Sequence, residues 1–148
     1  MRVHREIQKF GGWEITIAKD GPKLQANRNP NLTRLPLVPN APAGQDHFPE
    51  VPEGSAGLAW SYQDGQVYLT GIGQSVSDLL GFSIFRYYHV VDKTGLSGQY
   101  DFHLSYRSGD LQDIYNTMEK QLGLKVRSAD VTIDVLVIDS AKEKPAEN

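Results

Sequence analysis

The chain lacks cysteine altogether, which excludes disulfide bonds, thiolate nucleophiles and thiolate-ligated zinc. It also lacks any apolar run approaching the roughly 20 residues that a bilayer-spanning helix needs, so we predict no transmembrane segment. Lysine and arginine number 15 against 18 aspartates and glutamates, and the two signs are interspersed along the chain. No broad basic field is therefore available to hold nucleic acid or anionic lipid. The charged start has no apolar core of a signal peptide.

A recognisable catalytic pattern is missing as well. The run Thr94-Gly95-Leu96-Ser97-Gly98 matches neither a Gly-x-Ser-x-Gly nucleophile elbow nor a phosphate-binding loop. His47 and His103 each have acidic neighbours, but neither has a second ligand at a spacing typical of zinc sites. The residues by themselves therefore predict no catalytic residue, no metal site and no cofactor.

The length and composition indicate one domain. A chain of 148 residues with 39% hydrophobic and 22% charged content can bury a core of ordinary size. We predict a single domain over 1–148, with an N-terminal strand in 1–20 and a proline-rich irregular loop over 21–57. A hairpin and two helix-strand-strand units would fill 58–140, and 141–148 would be a frayed polar tail.

The first segment has the pattern of an extended strand. Five large apolar residues between Val3 and Ile17 occupy odd positions, which places them on one face. Gly11-Gly12 could instead form a hairpin turn, but that turn would mix apolar and polar side chains on each face. We therefore expect one bent strand with a kink or bulge at the glycines.

Seven prolines between Gly21 and Gly57 rule out a helix or a central strand there. Two states remain open, a disordered loop and an irregular loop packed on the body of the protein. Apolar residues such as Leu35, Phe48 and Val51 favour the packed loop.

Leu58 to Ile72 has the pattern of a β-hairpin. Asp64-Gly65 supplies the two positive φ angles of a type I′ turn between alternating strands. In the register that follows, Trp60 opposes Leu69 and Tyr62 opposes Val67, so four large apolar side chains share one face. We expect that face to be covered by the core.

Two helices follow the hairpin in the sequence pattern. Ser75 and Asp78 form a capping box before a helix that we expect to reach about Arg86. Asp110 can cap a second amphipathic helix, and Gly123 can end it in the left-handed conformation.

The remaining segments alternate as strands. Tyr88–Val91 and Gln99–Tyr106 follow the first helix, and Leu124–Arg127 follows the second. We expect a turn at 128–130 and then a central strand at Val131–Ile138, which is rich in β-branched residues. The fold class is therefore α+β, a mostly antiparallel sheet of five to seven strands with two amphipathic helices packed on one face and the proline-rich loop partly covering the other. The helix-strand-strand order occurs twice, which indicates a possible repeat or a coincidence.

The stretch from Val90 to Phe102 looks structural. We predict that it is a glycine-punctuated strand-to-strand reversal, in which Asp92 binds the backbone of its own turn. The turn residues of this interpretation are Asp92, Thr94, Gly95 and Gly98.

Aromatic residues are the best sequence indication of a binding surface. The candidates are Trp60, Tyr62, Tyr68, Tyr87 and Tyr88. They could form a platform for a carbohydrate or a peptide, or they could fill the core face of the sheet. Core packing is favoured for Trp60 and Tyr62 because their register demands a covering layer.

Several motifs together resemble one known family. They are His4-Arg5-Glu6, Lys19 to Leu24, Val91 to Phe102, Gln121 to Lys125, Val135 to Asp139 and Glu143 to Asn148. In this order they resemble the soil-associated protein family of unknown function, which is expanded in acidobacterial genomes. The chain departs from the family pattern at Gly11-Gly12-Trp13 and in the proline-rich loop.

The resemblance implies an exported bacterial protein, periplasmic or secreted, of which this chain looks like the C-terminal part. It carries over no catalytic residues. Related domains also occur attached to membrane metallopeptidase sensors. We therefore expect a non-catalytic binding or protein-interaction module whose partner is a cell-envelope component, another protein or a peptide added to a sheet edge. The alternatives are a hydrolase that uses Asp92, Asp101 and His103, and a sensor domain that works with a membrane metallopeptidase.

Overall fold

The structure, a computed structural model, describes residues 2–39, 41–82 and 89–138. The strands are β1 (Val3–Ile17), β2 (Gln25–Ala26), β3 (Thr33–Arg34), β4 (Ser55–Gln63), β5 (Gln66–Gln74), β6 (Val90–Asp92), β7 (Tyr100–Arg107) and β8 (Leu124–Ile138). The helices are α1 (Val76–Leu80) and α2 (Leu111–Thr117), and α2 continues into a π-helical turn at Met118–Leu122.

The strands form two sheets. One has five strands in the order β2-β7-β5-β4-β3, and the other has three in the order β6-β1-β8. Pairing is antiparallel except between β1 and β6 and between β3 and β4. A mostly antiparallel, mixed sheet structure with two short helices agrees with the predicted α+β class, although the predicted single sheet is divided in two.

The β4–β5 hairpin has the predicted register. Trp60 pairs with Leu69 and Tyr62 pairs with Val67. Asp64 and Gly65 have φ angles of 54° and 81°, which the type I′ turn requires. Local turn chemistry therefore fixes this part of the five-stranded sheet.

One core cluster joins both sheets and both helices. Its fully buried members include Leu69 and Leu104 from the five-stranded sheet and Ile15 from β1. The helical segments contribute Leu79, Ile114, Met118 and Leu122. Tyr106 also belongs to this cluster, and burial raises the pKa of its hydroxyl to about 12.

The first helix begins as predicted and ends early. Ser75 Oγ accepts a hydrogen bond from Asp78 N at 3.0 Å, and Asp78 Oδ2 accepts one from Ser75 N at 2.9 Å, which confirms the capping box. The helix ends at Leu80 with Gly81 as its C-cap, so the predicted end near Arg86 is wrong. Glycine disfavours helix continuation because it loses the most backbone entropy. Residues 83–88, including the predicted strand start at Tyr88, lie outside the described residues.

The second helix has both predicted ends. Asp110 Oδ1 accepts from Asp113 N at 3.0 Å, and Gly123 closes the helical segment with φ 67°. A Cβ on Gly123 would lie 2.2 Å from the carbonyl oxygen of Gly21, because the Lys19–Lys23 turn docks directly on it. Two hydrogen bonds of 2.8 Å, Ala18 N to Gly123 O and Lys23 N to Leu122 O, hold this contact.

The first and last strands run side by side for their whole length. β1 is a single strand through Gly11-Gly12, as predicted, but its register with β8 continues through both glycines without the expected bulge. β8 is also single, so the predicted turn at 128–130 is wrong: these residues pair with Gly11, Gly12 and Trp13 of β1. Pairing with an already extended partner outweighs the local turn preference of Ser128-Ala129-Asp130.

The position of β8 corrects two further predictions. Val131–Ile138 forms an edge of the three-stranded sheet and is not central. Only one strand follows α2 in the described residues, so the second helix-strand-strand unit is not formed. The segment 93–99 links β6 and β7, which lie in different sheets, and is therefore a crossing between sheets instead of a hairpin-like reversal. The predicted frayed tail at 141–148 lies outside the described residues.

Candidate functional site

The proline-rich loop packs along β4. Leu35 N donates to Ala56 O at 2.8 Å, Val38 N to Leu58 O at 3.0 Å and Ala41 N to Trp60 O at 2.9 Å. The loop thus runs beside β4 as an irregular extension of the sheet edge. Through these bonds its described residues between Leu35 and Ala41 are packed against the sheet.

Beyond Ala41 the loop folds over the face of the sheet that points away from the core. The Phe48 ring stacks on His103 of β7, with ring centroids 4.5 Å apart, and meets the Tyr68 ring of β5 edge-on at 5.3 Å. The His47 ring lies 5.3 Å from Tyr68, and Ser61 Oγ donates to His47 O at 2.7 Å. These contacts anchor the loop at its tip.

A cleft of about 670 Å³ lies between the loop and this outer face. Its walls are Pro42, Asp46, Phe48, Pro49, Glu50, Val51, Pro52, Glu53, Thr70, Ile72 and His103. Small-molecule sites in proteins have volumes of about 300–1,000 Å³, so the cleft is of ordinary size for one. It combines proline and aliphatic walls with three carboxylates.

Thr70 is the unusual polar residue of this cleft. Its side chain is 3% exposed, and its Oγ1 is buried without a hydrogen-bond partner among the described residues. Leaving a hydroxyl buried and unpaired costs about 1–3 kcal/mol. One carboxylate oxygen of Asp46, Oδ1, already accepts a hydrogen bond from Phe48 N at 3.1 Å.

A second surface belongs to the three-stranded sheet. Val3–Gly12 and Ala129–Ile138 pair with each other, and we call this two-stranded ribbon the β1–β8 arm. The parallel strand β6 pairs with β1 only from Trp13 onward, on the side away from β8. Along the arm, the outer edge of β8 has no partner strand within the part of the chain that the structure describes.

The arm exposes large apolar side chains. Ile7 is 75% exposed, Leu136 57%, Val3 51% and Ile138 49%. Val3 pairs with Ile138 and Ile7 with Asp134, so these side chains share one face of the ribbon. Between them an exposed ion pair joins Arg5 Nη1 to Asp134 Oδ2 at 3.2 Å.

The three aromatic candidates that the structure describes do not share one platform. Trp60 is half-buried against the core cluster. The prediction that Tyr62 is covered is wrong: it is 55% exposed, because it lies next to the hairpin turn, beyond the part of the sheet that the core covers. Tyr68 lies on the opposite face under Phe48. Tyr87 and Tyr88 lie outside the described residues.

The predicted turn residues Asp92 and Thr94 are hydrogen-bonded to each other. Asp92 Oδ1 accepts from Thr94 N at 2.8 Å and from Thr94 Oγ1 at 2.6 Å, and Thr94 Oγ1 accepts from Leu96 N at 3.1 Å. Gly95 has φ 72°, and a Cβ on Gly98 would lie 3.0 Å from the hydroxyl of Tyr100. The side chain of Thr94 is thus buried with its hydrogen bonds made.

The three residues of the hydrolase alternative lie on strands of two different sheets. Asp92 ends β6, whereas Asp101 and His103 share one face of β7. Asp101 Oδ1 accepts from Asn27 Nδ2 and from Gly73 N, both at 2.9 Å, which ties β7 to the loop and to β5. In the described ranges no group of three or more His, Cys, Asp or Glu is placed to hold a metal ion.

Sequence reasoning missed Phe48, Thr70 and Ile72 as site residues. The signal for Phe48 was present as an aromatic residue in a proline-rich loop, since such a residue needs a surface to cover. Nothing local marks Thr70 and Ile72, which acquire their position only when the loop folds over β5.

None of the helices in the described ranges is long and apolar enough to cross a bilayer. No curated protein and no solved structure matches the chain. A family model does match, over residues 1–141, and its description is "Protein of unknown function (DUF3738)". This protein therefore belongs to the DUF3738 family.

Proposed function

We propose that this protein is a non-catalytic binding module that takes up an extended segment of a partner protein as an added strand on the β1–β8 arm. The observation that carries the proposal is the position of β8. Ten residues of β1 and ten of β8 pair with each other in the arm, while the outer edge of β8 has no partner strand among the described residues.

An additional strand stabilises such a ribbon. An isolated two-stranded ribbon is marginally stable in water, and a third strand supplies backbone hydrogen bonds and covers apolar area. Natural edge strands are usually protected by lysine, proline or bulges. Val131–Ile138 has none of these protections and carries Asp134 as its single charged residue.

Charge indicates the kind of segment that fits. Ala129–Ile138 contains Asp130 and Asp134 and no lysine or arginine. The exposed Arg5–Asp134 ion pair adds little to stability, because solvent-exposed ion pairs contribute about 0–1 kcal/mol. We therefore expect a partner strand that alternates β-branched residues with lysine or arginine opposite these aspartates.

The test uses a synthetic ten-residue peptide that alternates valine and threonine and carries two lysines, measured by fluorescence anisotropy. A copy with N-methylated backbone at alternate residues is the control peptide, because it cannot complete a strand ladder. Leu136→Lys combined with Ile138→Lys should weaken binding at least about tenfold, since it places like charges beside the peptide lysines. Gln112→Lys combined with Asn116→Lys, on the exposed side of α2, adds the same two charges and is the matched control.

Equal binding of the methylated peptide, or unchanged binding by the Leu136→Lys/Ile138→Lys variant, would contradict strand addition at this edge. Concentration-dependent dimerisation that the same variant abolishes would show instead that a second copy occupies the arm. Sedimentation velocity of the unliganded protein distinguishes that outcome.

We propose further that the protein acts outside the cytoplasm of a soil bacterium. The support is the resemblance of its motifs to an exported family. Fractionation of cells that express the full reading frame tests the location, and recovery of the protein in the cytoplasmic fraction would contradict it.

A further inference from the structure

We infer that the cleft between the proline-rich loop and the outer sheet face binds an alkylammonium group, the chemistry shared by a lysine side chain and a free polyamine. The inference is independent of strand addition on the arm, because it concerns the five-stranded sheet and different residues.

Charge is the first argument. Asp46, Glu50 and Glu53 line the cleft, and no lysine or arginine does. Glu50 and Glu53 have no hydrogen-bond or ion-pair partner within the described residues, so both carboxylates are available. A concave site lined by carboxylates with apolar walls concentrates cations more strongly than the same charges on a flat surface.

Shape is the second argument. Pro42, Pro49, Pro52, Val51 and Ile72 supply apolar walls between the acidic rim and the sheet. An alkyl stem packs against such walls while its charged end reaches carboxylates, as lysine stems do on protein surfaces. A compact inorganic cation would leave these walls uncovered, and the described residues offer it no cluster of three ligands.

The unpaired hydroxyl of Thr70 is the third and independent argument. It is a polar atom in the wall of the cleft that is buried and has no partner in the described residues. Buried hydroxyl groups in native proteins are nearly always hydrogen-bonded, and one that is not calls for an explanation. An N–H donor of a bound amine would supply the bond after the small side-chain adjustment that is common on binding.

The probes are 1,5-diaminopentane and Nα-acetyl-lysine methylamide, titrated into the isotope-labelled protein and followed by NMR chemical shifts. Nα-acetyl-norleucine methylamide is the neutral control, since it keeps the stem and removes the charge. We expect shifts at Thr70, Ile72 and Glu50 with the amines only. Affinity should fall as ionic strength rises, because the attraction is electrostatic.

Variants separate the contribution of the carboxylates from that of the Thr70 hydroxyl. Glu50→Gln combined with Glu53→Gln should weaken amine binding about tenfold, whereas the double variant Asp20→Asn/Glu119→Gln, which neutralises two exposed acids away from the cleft, should not. Thr70→Val should weaken it about fivefold without lowering the thermal stability of the protein. A merely structural threonine would lose stability and leave affinity alone.

The results with the different probes identify the ligand or overturn the inference. Binding of the lysine derivative alone identifies a peptide lysine as the source of the ligand, and binding of the diamine alone identifies a free polyamine. Equal binding of the norleucine control, no shift with any amine, or full affinity in the Glu50→Gln/Glu53→Gln variant overturns the inference. Any of these failures leaves the peptide result on the arm unaffected, so the two proposals can fail separately.

Discussion

Two buried threonines should respond to the same substitution with opposite signs. Thr70 is 3% exposed and its hydroxyl has no partner in the described residues, whereas Thr94 is 7% exposed and its hydroxyl donates to Asp92 and accepts from Leu96. Valine has nearly the shape of threonine and no hydroxyl. Thr70→Val and Thr94→Val therefore form a matched pair in which hydrogen bonding is the main difference.

The magnitudes follow from what each hydroxyl does. At Thr70 the substitution removes an unpaired buried hydroxyl and adds an apolar methyl group, so the free energy of unfolding should rise by about 1–2 kcal/mol. At Thr94 it removes a hydrogen bond of 2.6 Å to a carboxylate and leaves Leu96 N without its acceptor, so the free energy should fall by about 2–3 kcal/mol.

Urea unfolding followed by tryptophan fluorescence measures both values, and calorimetry gives the shift in Tm. In a domain of this size each kcal/mol corresponds to about 2–4 °C. Thr70→Val should therefore melt above the wild type and Thr94→Val well below it. A destabilised Thr70→Val variant would refute the assignment of Thr70 as an unpaired group, and with it the strongest argument for a ligand in the cleft.

Three further predictions test the fold. Gly123→Ala should lower the free energy of unfolding by about 3 kcal/mol, since the φ of Gly123 is 67° and the new Cβ would lie 2.2 Å from Gly21 O. Gly109→Ala, at a position with φ 80° and open space, should lower it by only about 1–2 kcal/mol. Similar losses for the two variants in urea unfolding would contradict the docking of the Lys19–Lys23 turn. Met118→Ala should cost about 2–5 kcal/mol because the side chain is fully buried, and a loss below 1 kcal/mol by the same assay would place it outside the core. Burial raises the pKa of Tyr106 from 10.0 to about 12, so the folded state holds the proton more tightly and the free energy of unfolding falls as pH rises from about 10 to 12, by roughly 2–3 kcal/mol. Tyr106→Phe should remove that share of the decline, and an unchanged alkaline profile would argue against burial of its hydroxyl.

The parts of the fold that were predictable from the sequence are governed by neighbours in the chain. The register of the β4–β5 hairpin follows from Asp64-Gly65, and the start of α1 follows from Ser75 and Asp78. Gly123 ends its helix for the same local reason, since a left-handed residue favours glycine.

The predictions that were wrong concern segments whose structure depends on residues far away in the sequence. Ser128-Ala129-Asp130 has a turn composition, but β1 supplies an extended partner and the strand continues. The β-branched run at Val131–Ile138 indicated a central strand, because composition reports strand preference and not the number of neighbouring strands. The cleft was not predictable, because Phe48 meets Tyr68 and His103 only after the loop crosses two strands.

Backbone amide exchange along β8 tests the central proposal most directly. Amides of Val131–Ile138 alternate between those bonded to β1 and those directed to the unpaired edge. Addition of the valine-threonine-lysine peptide should slow exchange of the outward amides about tenfold or more while the inward ones change little. Unchanged exchange at the outward amides in the presence of saturating peptide would contradict strand addition to the β1–β8 arm.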